Sequence, residues 1–252
     1  RAFAQVKFSK LLSETIANQP QNLHILDSLK GISVQRLESM GIRMVTWQYK
    51  NEDQSFNHFG MLVADDGGIF HLQDQSKLLG TSDYEILPIN QWYGAYYYEV
   101  HYDAKNNHYL LFGFNGVNGS EYEKLIDVLS RDANGNWIFG KEIFLIKEDQ
   151  QRPDIKTRIS VKYSPTTVVA CKYDPASDML IHDYTVSTAN DFDGSFVGMV
   201  PDGTYVGYER KGKLWKQIPK LENTPVEEMR PDYNAKRDTS RPDIMGRKRK
   251  GN

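Results

Sequence analysis

The chain has 252 residues, a formal net charge of −2, a 39% hydrophobic fraction and 12% aromatic content led by 15 tyrosines. This balance gives no global electrostatic case for binding nucleic acid or a membrane. The single cysteine, Cys171, excludes an intramolecular disulfide and a CxxC metal site, and no apolar run reaches the roughly 18 residues that a membrane-spanning helix requires.

The first forty-odd residues read as helical. Phe3, Val6, Leu11, Leu12 and Ile16 recur at helical spacing, and Pro20 ends that run. A second short helix is expected over Leu23 to Leu29. A third is expected from Ser33, a suitable N-cap, to Met40 before Gly41. The chain opens on Arg1, either a processed terminus or a start within a longer chain.

From Ile42 onward the pattern changes to period two. Ile42–Lys50, His58–Ala64 and Gly68–Gln73 read as strands, and Tyr84-Glu85-Ile86-Leu87 as one more short strand. Tyr93–Tyr102 with His108–Phe114 is the strongest hairpin. Alternation predicts Tyr96, Tyr98, Val100 and Tyr102 on its core face, with Leu110 and Phe112 in the same core. Leu125–Arg131 and Trp137–Phe144 form a hairpin around Asn134-Gly135, where Gly135 is expected at positive φ. Arg158–Tyr163, Thr167–Tyr173 and Met179–Tyr184 follow as a meander, and Tyr205–Arg210 with Lys213–Ile218 closes the series. The expected fold is mainly β: an antiparallel, meander-rich sandwich or barrel. A helical segment (1–41) precedes the β domain (42–219), and an irregular, extended basic tail (220–252) follows it.

Four stretches carry a family resemblance. They are Trp92-Tyr93-Gly94-Ala95-Tyr96-Tyr97, Tyr109-Leu110-Leu111-Phe112-Gly113-Phe114-Asn115-Gly116, the run from Lys124-Leu125-Ile126-Asp127-Val128-Leu129 to Phe139-Gly140, and Pro201-Asp202-Gly203-Thr204-Tyr205. Together they resemble a family of uncharacterised exported proteins from Bacteroidota, over roughly residues 58–218. Members of that family usually carry Trp-Asp-Gly where this chain has Phe114-Asn115-Gly116. The resemblance implies an exported protein of the cell envelope, in the periplasm or associated with the outer membrane. It implies no known activity, and no functional residue carries over.

The chemistry-bearing residues give few constellations. Cys171 has no base beside it and reads as an inert, packed strand residue. His182-Asp183 occupy opposite faces of a strand. His101, Asp103 and His108 meet at one hairpin end but match no metal-ligand spacing, so neither a metal nor another cofactor is expected. Asp132–Asn136 and Asp191–Gly194 lack a calcium loop's ligand set and read as turns. Trp92, Tyr93 and Tyr97 are the candidate ligand-stacking residues, with Tyr93 and Tyr97 expected on the exposed face.

In the tail, Met229, Tyr233, Ile244 and Met245 are spaced anchors for a partner, and Arg247, Lys248, Arg249 and Lys250 would steer it to an acidic surface. The functional expectation is a non-enzymatic envelope module that docks to a partner protein through its terminal segments. Nucleic acid is not an expected partner, and peripheral membrane association is left open. A hydrolase or carbohydrate-active enzyme using scattered carboxylates and tyrosines is the first rival. A small-molecule binder with its ligand in a barrel mouth is the second.

Overall fold

The computed structural model describes residues 2–19, 26, 29, 31–80, 82–149, 151–189 and 196–221. Three β-sheets are stacked, with helix α1 (Ala2–Asn18) on the outside of the first. Among the described residues no helix is long and apolar enough to cross a membrane.

The first sheet is a four-stranded antiparallel meander of β1 (Ser33–Leu37), β2 (Ile42–Lys50), β3 (Phe56–Ala64) and β4 (Ile69–Leu72). Helix α1 lays Phe8, Leu12 and Ile16 onto Val45, Trp47, Met61 and Val63 of its outer face. The Phe8 ring meets Trp47 edge-on at 5.5 Å. The loop beyond β4 holds the four-residue helix α2 (Ser76–Leu79).

The central sheet runs in the order β5 (Leu87–Pro88), β9 (Trp137–Phe139), β8 (Glu121–Arg131), β7 (His108–Asn118) and β6 (Tyr96–Asp103). A further strand, β12 (Ile159–Tyr163), pairs with the first half of β8. Both faces are covered. Tyr109, Leu111, Leu125 and Leu129 meet the first sheet, and Leu110, Phe112, Ile126 and Val128 meet the third. Continuous apolar runs such as Tyr109–Phe112 are what double-sided burial requires of a strand.

The third sheet has the order β11 (Asp154–Lys156), β10 (Phe144–Lys147), β16 (Leu214–Ile218), β15 (Phe196–Lys211), β14 (Met179–Ala189) and β13 (Cys171–Asp174). Its pairings are antiparallel except β10 with β16, which is parallel. Phe144, Leu180, Val206, Tyr208 and Trp215 form its side of the core.

The sandwich, the leading helix and the hairpins agree with the sequence pattern, and Gly135 sits at φ +83° in the β8–β9 turn. Asp132 shapes that turn, its Oδ1 accepting from the Asn134 and Asn136 amides at 2.9 and 2.8 Å.

Several expectations are corrected. Ser33–Leu37 is a strand rather than the start of a helix, because pairing with β2 outweighs a local N-cap signal; only Glu38–Met40 turns, as a 3₁₀ helix. The meander is broken, since Arg158–Tyr163 belongs to the central sheet and Cys171–Asp174 to the third. Phe144 leaves the Trp137 hairpin for β10. The strand expected at Tyr84–Leu87 is reduced to β5, Leu87–Pro88. The helix expected over Leu23–Leu29 lies outside the described residues except at Leu26 and Leu29, and Asp191–Gly194 lies outside them entirely.

The faces of β6 are also corrected. Its register slips between Tyr97 and Glu99, so Tyr98 is an extra residue opposite β7. Tyr98 and Glu99 both turn to the third sheet. The Tyr98 hydroxyl donates to the Cys171 carbonyl at 2.7 Å, and Glu99 accepts from the Tyr173 amide at 3.3 Å. Tyr97, Val100 and Tyr102 therefore share the opposite face, packed toward the first sheet.

Candidate functional site

The face of the central sheet that meets the first sheet is not purely hydrocarbon. Period two along β8 puts Glu123 and Asp127 on this side with Leu125 and Leu129. Pairing with β12 sets Ser160 opposite Leu125, two positions from Glu123, and brings Arg158 beside Asp127. Glu123, Asp127 and Arg158 are all 0% exposed. An ionisable group pays a large desolvation penalty when buried, so each must find a partner.

Two linked networks supply those partners. In the first, Arg158 Nη2 lies 3.0 Å from Asp127 Oδ1, while Tyr97 donates to Asp127 Oδ2 at 3.0 Å and accepts from Trp92 Nε1 at 3.2 Å. Burial works against the Arg158 cation, and the Asp127 carboxylate more than offsets it, holding the guanidinium above its ordinary value. Burial also pushes the Tyr97 hydroxyl well up, with Asp127 adding to the effect. In the second network, Ser160 Oγ donates to Glu123 Oε1 and the Tyr93 hydroxyl lies 3.0 Å from Oε2.

The segment before β6 is held tightly enough to deliver these tyrosines. Gly94 has φ +77°, and a Cβ there would fall 2.2 Å from Asp74 Oδ1, so only glycine fits. Asn115 donates to the Gly94 carbonyl at 2.6 Å. Trp92, Tyr93 and Tyr97 are consequently 0%, 2% and 0% exposed. The expectation that Tyr93 and Tyr97 face solvent is corrected: the slip in β6 and the Gly94 turn carry all three rings inside.

This buried base supports an exposed loop. Arg158 Nη1 donates to the Ser82 carbonyl and hydroxyl, both at 2.8 Å. The Asp83 carbonyl accepts from the Thr157 amide at 2.7 Å and its hydroxyl at 2.9 Å, and the same hydroxyl lies 3.0 Å from the Glu85 carbonyl. Lys156 Nζ reaches Asp83 Oδ2 at 2.7 Å. On this frame Tyr84 is 59% and Ile86 50% exposed. The Tyr84 hydroxyl donates to Asp154 Oδ1 at 3.0 Å, which fixes the ring. A depression of about 460 Å³ beside it is lined by Tyr84, Arg152, Pro153, Asp154 and Ile155.

The other chemistry-bearing residues go elsewhere. Glu123 and Asp127 are four residues apart on one strand, so their backbones are about 14 Å apart at a rise of about 3.4 Å per residue, and their carboxylates are held by different partners rather than facing each other across roughly 5–10 Å as in glycoside-cleaving pairs. Asp103 takes Arg210 at 2.9 Å, with His108 at 3.5 Å; burial lowers His108 to about 4. His101 stacks on Tyr173 instead, with ring centroids 3.6 Å apart. Among the described residues no group of three or more His, Cys, Asp or Glu side chains is placed to hold a metal. Cys171 is buried, which pushes its thiol up to about 12. His182 Nδ1 approaches the Asp183 carbonyl, not its carboxylate, which accepts from the Ala170 amide. Met229, Tyr233, Ile244, Met245, Arg247, Lys248, Arg249 and Lys250 lie outside the described residues.

Sequence reasoning missed Glu123, Asp127, Arg158 and Tyr84. One signal was present: charges at alternate positions of strands that are otherwise apolar, in Glu123–Leu125–Asp127 and Arg158–Ser160–Lys162. Comparison with known proteins adds no relative, as no family model, curated protein or solved structure matches this chain.

Proposed function

We propose that this protein is a non-enzymatic binding or assembly module and that the loop 82–88, with Tyr84 and Ile86 outward, is a contact face for a partner protein. The observation that carries this reading is an exposed aromatic ring held still by Asp154 and by a buried polar frame. A ring already immobilised loses little entropy when a partner covers it, and tyrosine is favoured at the centre of protein interfaces. Arg152, Asp154 and Lys156 around it give a mixed-charge rim suited to orienting a partner. The cell-envelope location rests on the family resemblance, and a second contact through the basic tail rests on its anchor residues.

The test is site-specific photo-crosslinking in the native cell. A photoreactive residue at position 84 should give one discrete protein adduct, and the same residue at Lys105, in the exposed β6–β7 turn, should give none. Matching patterns from both positions, or no adduct from position 84, would overturn the contact face. Deleting 220–252 should leave the β domain folded and shift the protein from the envelope fraction to the soluble one; unchanged fractionation would remove the tail's docking role.

A further inference from the structure

The buried base is one hydrogen short. Tyr93 Oη lies 3.0 Å from Glu123 Oε2 and also 3.1 Å from the Gly80 carbonyl oxygen. A phenol carries a single hydrogen, and neither a carboxylate nor a carbonyl can supply one. If Glu123 is ionised, Tyr93 donates to it, and the carbonyl of Gly80, an exposed residue, is left to solvent. If Glu123 is neutral, its carboxyl donates to the phenol oxygen and the phenol donates to Gly80. Ser160 serves Oε1 in both states. Only the neutral form satisfies all the groups from within the protein.

We infer that Glu123 is a proton-operated latch: protonated, it fastens Gly80 through Tyr93; ionised, it lets go of Gly80, at the near end of the loop that carries Tyr84 and Ile86.

The surroundings favour this role. On β8, Glu121 is paired with Lys162 of β12 at 2.9 Å. Arg158 of β12 is committed to Asp127, and Asn115 of β7 gives its amide to backbone carbonyls. From the loop, Asp83 adds a like charge while itself held by Lys156. Thus no cation forms an ion pair with Glu123 among the described residues. Burial pushes its carboxyl up to about 7, against the opposing hydrogen bonds of Ser160 and Tyr93 and the nearby charge of Lys162. The latch therefore turns over near neutrality. Its bearing on partner binding rests on the reading of this loop as a contact face; the latch itself does not.

The test is hydrogen exchange in the full chain, followed over residues 79–81 at the Gly80 end of the loop and corrected for intrinsic rates. Across about pH 6 to 8, the ionised fraction around a midpoint near 7 changes about tenfold, so opening of the wild-type loop should rise about tenfold. Glu123→Gln, whose amide donates to Tyr93 as the neutral acid does, should stay closed at both pH values. Tyr93→Phe should be open at both, with residues 124–131 still protected as a control on folding. Wild-type protection that ignores pH, or a Glu123→Gln loop that responds like wild type, would overturn the latch. Crosslinking from position 84 separates the two claims. A working latch with no adduct at either pH would remove the contact face alone, and an adduct with pH-independent protection would remove the latch alone.

Discussion

Strands β7 and β8 bury two faces that solve the same problem differently. Toward the third sheet, Leu110, Phe112, Ile126 and Val128 meet Ile159, Val161, Leu180 and Trp215 in a hydrocarbon contact. Toward the first sheet, the same strands interleave Leu111, Leu125 and Leu129 with Glu123 and Asp127, answered by Arg158, Ser160, Tyr93 and Tyr97. Hydrocarbon contacts are non-directional, so the first face needs only the right volume and shape. Buried charges tolerate only the geometry that pairs them. The apolar face holds the sheets together, and the polar face determines where the loop above it sits.

The comparison breaks most visibly at Arg158. Replacing Arg158 with Met should cost roughly 3–5 kcal/mol in chemical denaturation, because Asp127 is left charged and buried without its partner. The double variant Arg158→Met, Asp127→Leu should recover much of that loss. A loss below 1 kcal/mol for the single variant would mean that Asp127 is solvated and that the two faces do not differ in kind.

The polar face should also carry a pH dependence near neutrality, separate from that of buried His108 at the other end of β7, whose imidazole is lowered to about 4. The Glu123 carboxyl is raised in the folded chain. Its contribution is therefore complete below the ordinary carboxylate value and is lost as pH rises through about 7. Wild type should lose on the order of 3 kcal/mol across that interval relative to Glu123→Gln. Parallel stability curves for the two proteins would show that Glu123 titrates normally.

Across the sheet, Ile126→Val should cost about 0.5–1.5 kcal/mol with no pH dependence, the usual effect of one deleted methylene. The smallest effect belongs to Cys171, whose covered, raised thiol should leave native protein unlabelled by a thiol reagent. Rapid labelling would show that the apolar face opens to water.

The difference between the faces also explains what the sequence could convey. Hairpins are local, so the Asn134-Gly135 turn and the pairing of β6 with β7 were legible from turn chemistry and alternation. The apolar run Tyr109–Phe112 signals burial on both sides, yet alternation alone assigns one face inward and the other outward. A single extra residue at Tyr98 then exchanged the faces of β6, a change that no composition announces. The candidate site was almost illegible. Arg158 and Asp127 are 31 positions apart and look like ordinary surface charges until β12 pairs with β8. Tyr84 stands out only once its neighbours on the loop are seen to be tied down.

The parallel pairing of β16 with β10 has a consequence for how the protein is made. Strand β16 fills the gap between β10 and β15, and Trp215 is fully buried there. Strands β10 and β11 therefore wait, with an unpaired edge, until residues 214–218 have been synthesised. At roughly 5–20 residues per second, the interval between residues 147 and 218 lasts on the order of ten seconds. During that time the β10–β11 pair carries Phe144 and Leu145 beside an unpaired strand edge, the kind of surface that favours wrong pairing until it is covered.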